Sequence, residues 1–315
     1  MNTSASTPKD QGPLARLFYR PPYVGLVAFV VVFLVQGLGH TLMVAMESIF
    51  GHEHILQAAF FMGAAGTVML FFGMKTAAEV PGTWLGFWAG TLIWTGWIEF
   101  SFVWGADYLG VPDLMDSRNP GVIATKNEYL VMMSSVGLMV SLLPYFLLNK
   151  ETKCNFFVWF QRRLKLRVGK PSRGYQRNFA AITCMETIYV LWFCYLALLF
   201  LYEESILGDR HPVMYVVFFA NTVWSLYLMQ RLFRFWKVTT AIRYAIPTAI
   251  IAYSSWEILE RWGVISDFWV QPQKYALELG LTGAAVLIAG FLVAKTPAHK
   301  KAELTRAELA AIKQS

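Results

Sequence analysis

The chain has few charged residues for its length. Of its 315 residues, 15% are Asp, Glu, Lys or Arg, whereas 56% are apolar and 16% are aromatic. Soluble domains are typically about 25% charged and about 45–50% apolar. Cysteine is also scarce: Cys154, Cys184 and Cys194 form no Cys-x-x-Cys pair, which excludes a disulfide-stabilised scaffold. The same composition excludes disordered, collagen-like and coiled-coil chains.

Several motifs of known enzyme classes are missing as well. The sequence has no phosphate-binding glycine loop, no Gly-x-Ser-x-Gly nucleophile turn, no His-Glu-x-x-His zinc motif and no multi-histidine pattern. His40 is the one histidine deep in an apolar segment, so a haem held between two facing histidines is disfavoured. Sequence motifs therefore do not identify a reaction that this chain catalyses.

The sequence does contain apolar runs of about 20 residues, the length that a bilayer requires of a helix. We predict eight such runs. They cover residues 23–46, 55–74, 84–103, 129–148, 179–202, 213–229, 244–259 and 276–294. The expected fold is therefore an all-α integral membrane protein with eight transmembrane helices.

The charges predict the orientation of these helices. Lys and Arg are concentrated in the N-terminal tail, in residues 150–178, in the turn at 231–243 and in the C-terminal tail, whereas the intervening loops are mostly acidic. Because Lys and Arg are enriched on the cytoplasmic side, we expect both termini to be cytoplasmic, in a bacterial inner membrane. This topology accounts for the net charge of +7, so we expect no nucleic-acid partner.

The basic segment 150–178 also has apolar residues between its cations. These residues are Phe156, Phe157, Trp159, Phe160, Leu164 and Leu166. Alternation of this kind is typical of an amphipathic segment on a membrane surface. Besides the lipid bilayer itself, anionic lipid is thus an expected partner of this loop.

An internal repeat relates the two halves of the chain. Residues 47–54 (ESIFGHEH) recur as residues 204–211 (ESILGDRH), an offset of 157, and the pattern Glu-x-x-x-x-Trp-Gly begins at both Glu99 and Glu257, an offset of 158. The repeat predicts two tandem four-helix units. Since each unit has an even number of helices, both insert the same way up.

The repeat divides the chain into five parts. Residues 1–22 are expected to form a cytoplasmic N-terminal tail, 23–149 the first four-helix repeat and 150–178 a basic cytoplasmic linker. Residues 179–295 form the second four-helix repeat, and 296–315 a cytoplasmic C-terminal tail.

Each half keeps three glutamates and one histidine near the outer ends of its helices. They are Glu47, His54, Glu99 and Glu128 in the first half, and Glu204, His211, Glu257 and Glu278 in the second. Carboxylates with imidazole suit a divalent metal such as Fe, Mn or Zn, and helix bundles hold such metals. These eight residues are candidate metal ligands, and solvated positions at the membrane interface are the alternative.

Glu99, Glu128 and His40 are the candidate catalytic groups. Arg261 follows Glu257 by four residues, which predicts an ion pair within one helix. Glu99 has no cation at the equivalent position, so the first half is the better candidate for an active site. We expect His40 to be a core histidine, two turns below the outer carboxylates, that can extend a proton path.

Three functions fit these features. The expected function is to bind and move a cation or small solute at outward-facing carboxylate and histidine sites, linked to protons or to a metal. The first alternative is a membrane-embedded enzyme, metal-dependent or acid–base, that acts on an apolar substrate. The second is a structural or assembly subunit that pairs with a membrane-protein partner or with another copy of the chain.

Overall fold

The computed structural model describes residues 20–76, 78–115, 121, 123–152, 154–170, 172–174, 176–266 and 273–294. Within these residues the fold is all-α, apart from one short antiparallel strand pair. The predicted C-terminal tail and most of the predicted N-terminal tail lie outside the described residues.

Helices cover every predicted apolar run. In chain order the elements are α1 (Tyr23–Gly51), α2 (Glu53–Lys75), α3 (Glu79–Ile93), a π-helical turn (Trp94–Glu99), α4 (Phe100–Leu109), β1 (Leu114–Met115), β2 (Ile123–Thr125), α5 (Asn127–Ser134), α6 (Val136–Leu148), α7 (Asn155–Arg163), α8 (Phe179–Tyr202), α9 (Pro212–Leu232), α10 (Val238–Arg261) and α11 (Ala276–Ala294).

Several of these helices are long and apolar enough to cross a membrane. Among the described residues, α1, α2, α8 and α9 meet this condition, and a fifth span results if α5 and α6, which meet at a bend of 42°, are counted together. The chain is therefore all-α, with four to five helices of the kind found in integral membrane proteins.

Glycine and capping residues set the helix ends. Gly51 has a φ of +64° and breaks the helical path between α1 and α2. Gly110, with a φ of +62°, ends α4 in the left-handed conformation, which glycine adopts without steric cost. Asn178 caps α8, because its side chain accepts a hydrogen bond of 3.0 Å from the N–H of Ala181.

Large apolar side chains cover the outside of the helices. Phe60, Phe61, Val216 and Phe219 are between 59% and 70% exposed. Exposed apolar surface of this extent is unfavourable in water and is favourable against lipid chains. The outer surface of the bundle thus agrees with an integral membrane protein.

The buried core lies between α1, α3, α8 and α10. Val31, Phe87, Leu196 and Ile246, one from each of these helices, are at most 1% exposed. In the packing of these helices α3 lies against α8, and α10 lies against α1. These four helices therefore form the centre of the bundle.

Glycines allow α3 and α8 to approach closely. A Cβ atom on Gly90 would lie 2.9 Å from the carbonyl oxygen of Cys184, and one on Gly86 would overlap the carbonyl oxygen of Ala180. Small residues at such contacts are typical of membrane helices, because the backbones themselves come into van der Waals contact. The α3–α8 contact therefore depends on glycine at both positions.

We expect Gly86→Ala to lower the free energy of unfolding by about 1–3 kcal/mol, because the added methyl group pushes α3 away from α8. Thermal unfolding of the purified protein in detergent measures the effect. Gly137→Ala on α6 is the matched control, since a Cβ there has no neighbour within 4 Å. Alanine is the better helix former by about 1 kcal/mol, so the control is expected to keep or raise the unfolding temperature. An equal loss in both variants would contradict the close contact.

Candidate functional site

A small cavity lies between α1, the end of α3 with the π-helical turn, α8 and α10. The space open to the centre of a water molecule is about 30 Å³, which is enough for about two waters. The residues with polar atoms in their side chains that line the cavity are Gln36, His40, Thr91, Trp94, Thr95, Glu99, Cys194, Tyr195, Tyr253, Ser254 and Glu257. Two glutamates thus face a confined space among apolar helices.

His40 and Tyr195 connect these two glutamates. The Tyr195 hydroxyl donates a hydrogen bond of 3.3 Å to Oε1 of Glu99, and its oxygen lies 3.1 Å from Nε2 of His40. The same Nε2 atom lies 3.5 Å from Oε1 of Glu257. A tyrosine hydroxyl has one proton, so while it donates to Glu99 it can accept a hydrogen bond from an Nε2–H of His40. The four side chains therefore form a continuous polar chain.

The π-helical turn positions Glu99 at one end of this chain. Wider turns of this type occur often at functional sites, and this one ends at Glu99, which is 7% exposed. Gly96 lets the turn pack against α2, because a Cβ there would lie 2.6 Å from the carbonyl oxygen of Ala59. The Trp97 indole N–H donates a hydrogen bond of 3.0 Å to the carbonyl oxygen of Phe60. The turn is thereby held in place from the α2 side.

One face of α10 positions Glu257 at the other end. Ile250, Tyr253, Ser254 and Glu257 follow helical spacing and all line the cavity. The Tyr253 ring lies nearly parallel to the His40 ring, with centroids 6.3 Å apart and an interplanar angle of 17°. Tyr253 therefore restricts the orientation of the imidazole between the two carboxylates.

The site has more acidic than basic groups. Glu99 is repelled by the like charges of Glu257 and Glu128 and is attracted by the opposite charge of a protonated His40. Tyr129, on α5 next to Glu128, lies within electrostatic range of Glu99, Glu257 and Glu128 as well. A confined space beside several carboxylates attracts a cation.

The structure separates the eight predicted metal ligands. Glu99 and Glu257 line the cavity, and Glu128 lies within electrostatic range of Glu99. The other five side chains are exposed: Glu47, His54, Glu204, His211 and Glu278. The Nδ1 atom of His211 accepts a hydrogen bond of 3.2 Å from the N–H of Val213, so this histidine caps α9.

The donor set around the cavity does not form a metal centre. In the part of the chain that the structure describes, no group of three or more His, Cys, Asp or Glu side chains is arranged to hold a metal ion. The predicted divalent metal, whether Fe, Mn or Zn, therefore has no support in the geometry.

His40 has a more central place than the sequence indicated. We expected a core histidine that extends a proton path, and the structure gives it contacts with Tyr195 and Glu257 at the centre of the site. The available signal was the presence of an ionisable side chain deep in an apolar run, which marks functional sites in membranes. Tyr195 carried no such signal, because it stands among other aromatic and apolar residues of α8.

The predicted ion pair between Glu257 and Arg261 is wrong. Arg261 Nη2 donates a hydrogen bond of 2.8 Å to the carbonyl oxygen of Ala124, and its Nε atom lies 3.8 Å from Oδ2 of Asp209. Glu257 faces the interior, whereas Arg261 lies at the end of α10, where loop groups compete for its guanidinium. His40 is the ionisable partner of Glu257 instead.

Glu186, the carboxylate within α8, has a partner that the sequence did not identify. Arg243 on α10 binds it through two guanidinium nitrogens, with Nη2 2.8 Å from Oε1 and Nε 3.3 Å from Oε2. The two side chains are 30% and 19% exposed. This bidentate pair joins the same two helices that carry Tyr195 and Glu257.

We expect Tyr195→Phe to lower the free energy of unfolding by about 1–3 kcal/mol, because it removes a hydrogen bond to a buried carboxylate. Tyr145→Phe on α6 is the control, since Tyr145 is 68% exposed and its hydroxyl is outside the site. Thermal unfolding in detergent compares the two variants. If both variants lose the same stability, the hydrogen bond between Tyr195 and Glu99 does not contribute measurably to the free energy of unfolding.

Comparisons of the chain with protein-family models, with curated proteins and with solved structures find no match. The arrangement of Glu99, Glu257, His40 and Tyr195 around the cavity is therefore the guide to what the chain does.

Proposed function

We propose that this chain spans a membrane with eight helices and moves a small cation, in the simplest case a proton, through the central carboxylate site. The observation that carries the proposal is the meeting of Glu99 and Glu257 with His40 and Tyr195 around a cavity of about two waters. Ionisable groups inside membrane helices are costly and typically mark ion or proton pathways.

The contacts allow a proton to pass between the two glutamates. With Glu257 protonated and Glu99 ionised at the start, three protons shift together: the Tyr195 hydroxyl proton goes to Glu99, the Nε2 proton of His40 goes to Tyr195, and the proton of Glu257 goes to Nε2 of His40. The tyrosine and the imidazole return to their starting states. The net result is the movement of one proton from Glu257 to Glu99, and the reverse order moves it back.

Polar groups on both sides of the cavity support a longer path. Glu128 and Tyr129 lie at the start of α5, within electrostatic range of Glu99. Glu186 lies nine residues before Tyr195 on α8, which is about 13 Å along a helix. A proton path between the two membrane faces thus has ionisable side chains on either side of the cavity.

The size of the cavity favours a small cation over an organic substrate. The open space is about 30 Å³, whereas sites for organic ligands have volumes of about 300–1,000 Å³. An enzyme acting on an apolar substrate would need a larger apolar pocket at this site. The proton, which travels through side chains and waters, requires no such volume.

Three structural correspondences support two inserted repeats. Glu99 and Glu257, which the repeat relates, both reach the cavity. Gly51 and Gly208, also related, have φ values of +64° and +86°. Glu79, which is 158 residues before Lys237, forms an ion pair with it at 2.8 Å. Two residues related by the repeat can contact each other only near the axis that relates the two halves, which this ion pair places between α3 and α10. Two repeats of four helices each give eight spans, with both termini cytoplasmic.

The proposal is tested by proton flux into vesicles that contain the purified protein and an internal pH dye, under an imposed membrane potential. We expect Glu99→Gln and Glu257→Gln each to lower the flux by about a hundredfold, because neither amide can accept and release a proton. Glu278→Gln is the matched control, since this glutamate belongs to the repeat but is exposed.

Two results would contradict proton movement through this site. The first is wild-type flux no higher than in protein-free vesicles. The second is normal flux in both cavity variants, with thermal unfolding showing that they fold.

The topology predicts opposite labelling of two cysteines. With Cys184 and Cys194 replaced by alanine, Cys154 is the remaining thiol. An impermeant maleimide is expected to label it in inside-out vesicles and not in right-side-out vesicles, because an even number of spans precedes it. In a chain that lacks all three native cysteines, Lys126→Cys should show the reverse. Labelling of both from the same side would disprove a span between them.

A further inference from the structure

The short helix α7 is fixed against the end of α6. The side-chain amide of Gln161 donates hydrogen bonds to the carbonyl oxygens of Leu147 at 2.7 Å and Asn149 at 3.3 Å. One turn earlier, the Phe157 ring stacks on Phe146, with centroids 6.2 Å apart. Because α6 belongs to an apolar helix pair that qualifies as a span, these contacts hold α7 at the level where that span ends.

A second connection closes the loop around α7. The backbone N–H of Ser172 donates a hydrogen bond of 2.8 Å to Oε1 of Glu151. This bond holds the pKa of the Glu151 carboxyl below its usual range, so the residue stays ionised and bonded near neutral pH. The basic segment between these two residues is therefore held in a loop.

The face of α7 opposite α6 combines an exposed aromatic ring with a cation. Trp159 is 53% exposed, and the Arg163 guanidinium lies 5.8 Å from the centroid of its ring. Leu164, directly after the helix, is 57% exposed. Tryptophan, leucine and arginine together are typical of helices that lie in the interface between lipid chains and head groups.

The turn that ends α7 places a lysine where glycine is favoured. Lys165 has a φ of +52°, and its N–H bonds to the carbonyl oxygen of Arg162 while the N–H of Leu166 bonds to that of Gln161. This is the Schellman arrangement, whose left-handed position is usually glycine. The lysine thus adopts at a conformational cost a position that glycine would occupy without one.

Exposed cations are concentrated on this short segment. They are Arg162, Arg163, Lys165, Arg167 and Lys170. Each guanidinium or ammonium group near a membrane surface attracts anionic lipid, and arginine binds phosphate oxygens in a bidentate manner. The charge, the apolar side chains and the level of α7 therefore favour the same partner.

We propose that α7 and the turn after it, residues 155–167, form a binding surface for the head groups of acidic phospholipids. Arg163 and Lys165 bind the phosphate group, and Trp159 and Leu164 lie beside the upper part of the acyl chains. The surface is independent of the proton site, because it uses neither the cavity nor its residues.

Native mass spectrometry of the purified full chain, released from mixed phosphatidylglycerol and phosphatidylcholine, measures which lipid stays bound. Wild-type protein is expected to retain phosphatidylglycerol in preference. Arg163→Gln and Lys165→Gly are each expected to weaken that retention about fivefold. The matched control is Lys274→Gln, which removes an exposed lysine beside α11 and is expected to leave the preference unchanged.

Lys165→Gly separates lipid binding from a structural role. Glycine fits the left-handed position better, so this variant is expected to unfold at the same or a higher temperature in phosphatidylcholine. It is also expected to lose most of the stabilisation that added phosphatidylglycerol gives the wild type. Equal retention of the two lipids by the wild type would overturn the proposal, as would an unchanged preference in both loop variants.

Discussion

Two carboxylates placed among apolar helices impose the main constraint on this structure. A charged side chain at the centre of a membrane helix costs about 2.5 kcal/mol or more, and an unpaired buried charge is worse than a paired one. This cost is reduced because Tyr195 donates a hydrogen bond to Glu99, His40 lies against Glu257, and both carboxylates face a cavity that admits water. Because these groups come from α1, α8 and α10 as well as from the π-helical turn, the four helical segments have to meet at one point.

The packing around the site holds these helices close together. Gly86 and Gly90 bring α3 against α8, and Gly96 brings the π-helical turn against α2. Ion pairs near the beginning of α10 join it to α3 through Glu79 and to α8 through Glu186. Close backbone contacts and charge pairs both resist separation of helices, because lipid provides no hydrogen bonds to replace them. The central helices are thereby held at the spacing that the cavity requires.

The helices were predictable to a large extent, and the site only in part. Apolar runs of about 20 residues can be read directly from the sequence, and helices cover all eight predicted runs. Within the described residues, four to five helices are long and apolar enough to cross a membrane. Glu99 and Glu257 were found through the repeat. Tyr195 was missed because an aromatic residue in an aromatic-rich helix has no distinguishing pattern, and Arg261 was assigned to Glu257 because helical spacing alone ignores the loops that compete for it. Sequence distance does not reveal contacts between separate helices.

The sequence by itself determined which segments are helical, which residues are charged, and that two glutamates lie within otherwise apolar segments, near their outer ends. Local composition and periodicity are enough for this, because each helix satisfies its own backbone hydrogen bonds. Only the tertiary structure decided that these glutamates face one cavity, that His40 lies between them, and that five other candidate residues are exposed. The direction in which each helix turns its polar side chains depends on its neighbours, because a membrane helix has apolar residues on every side.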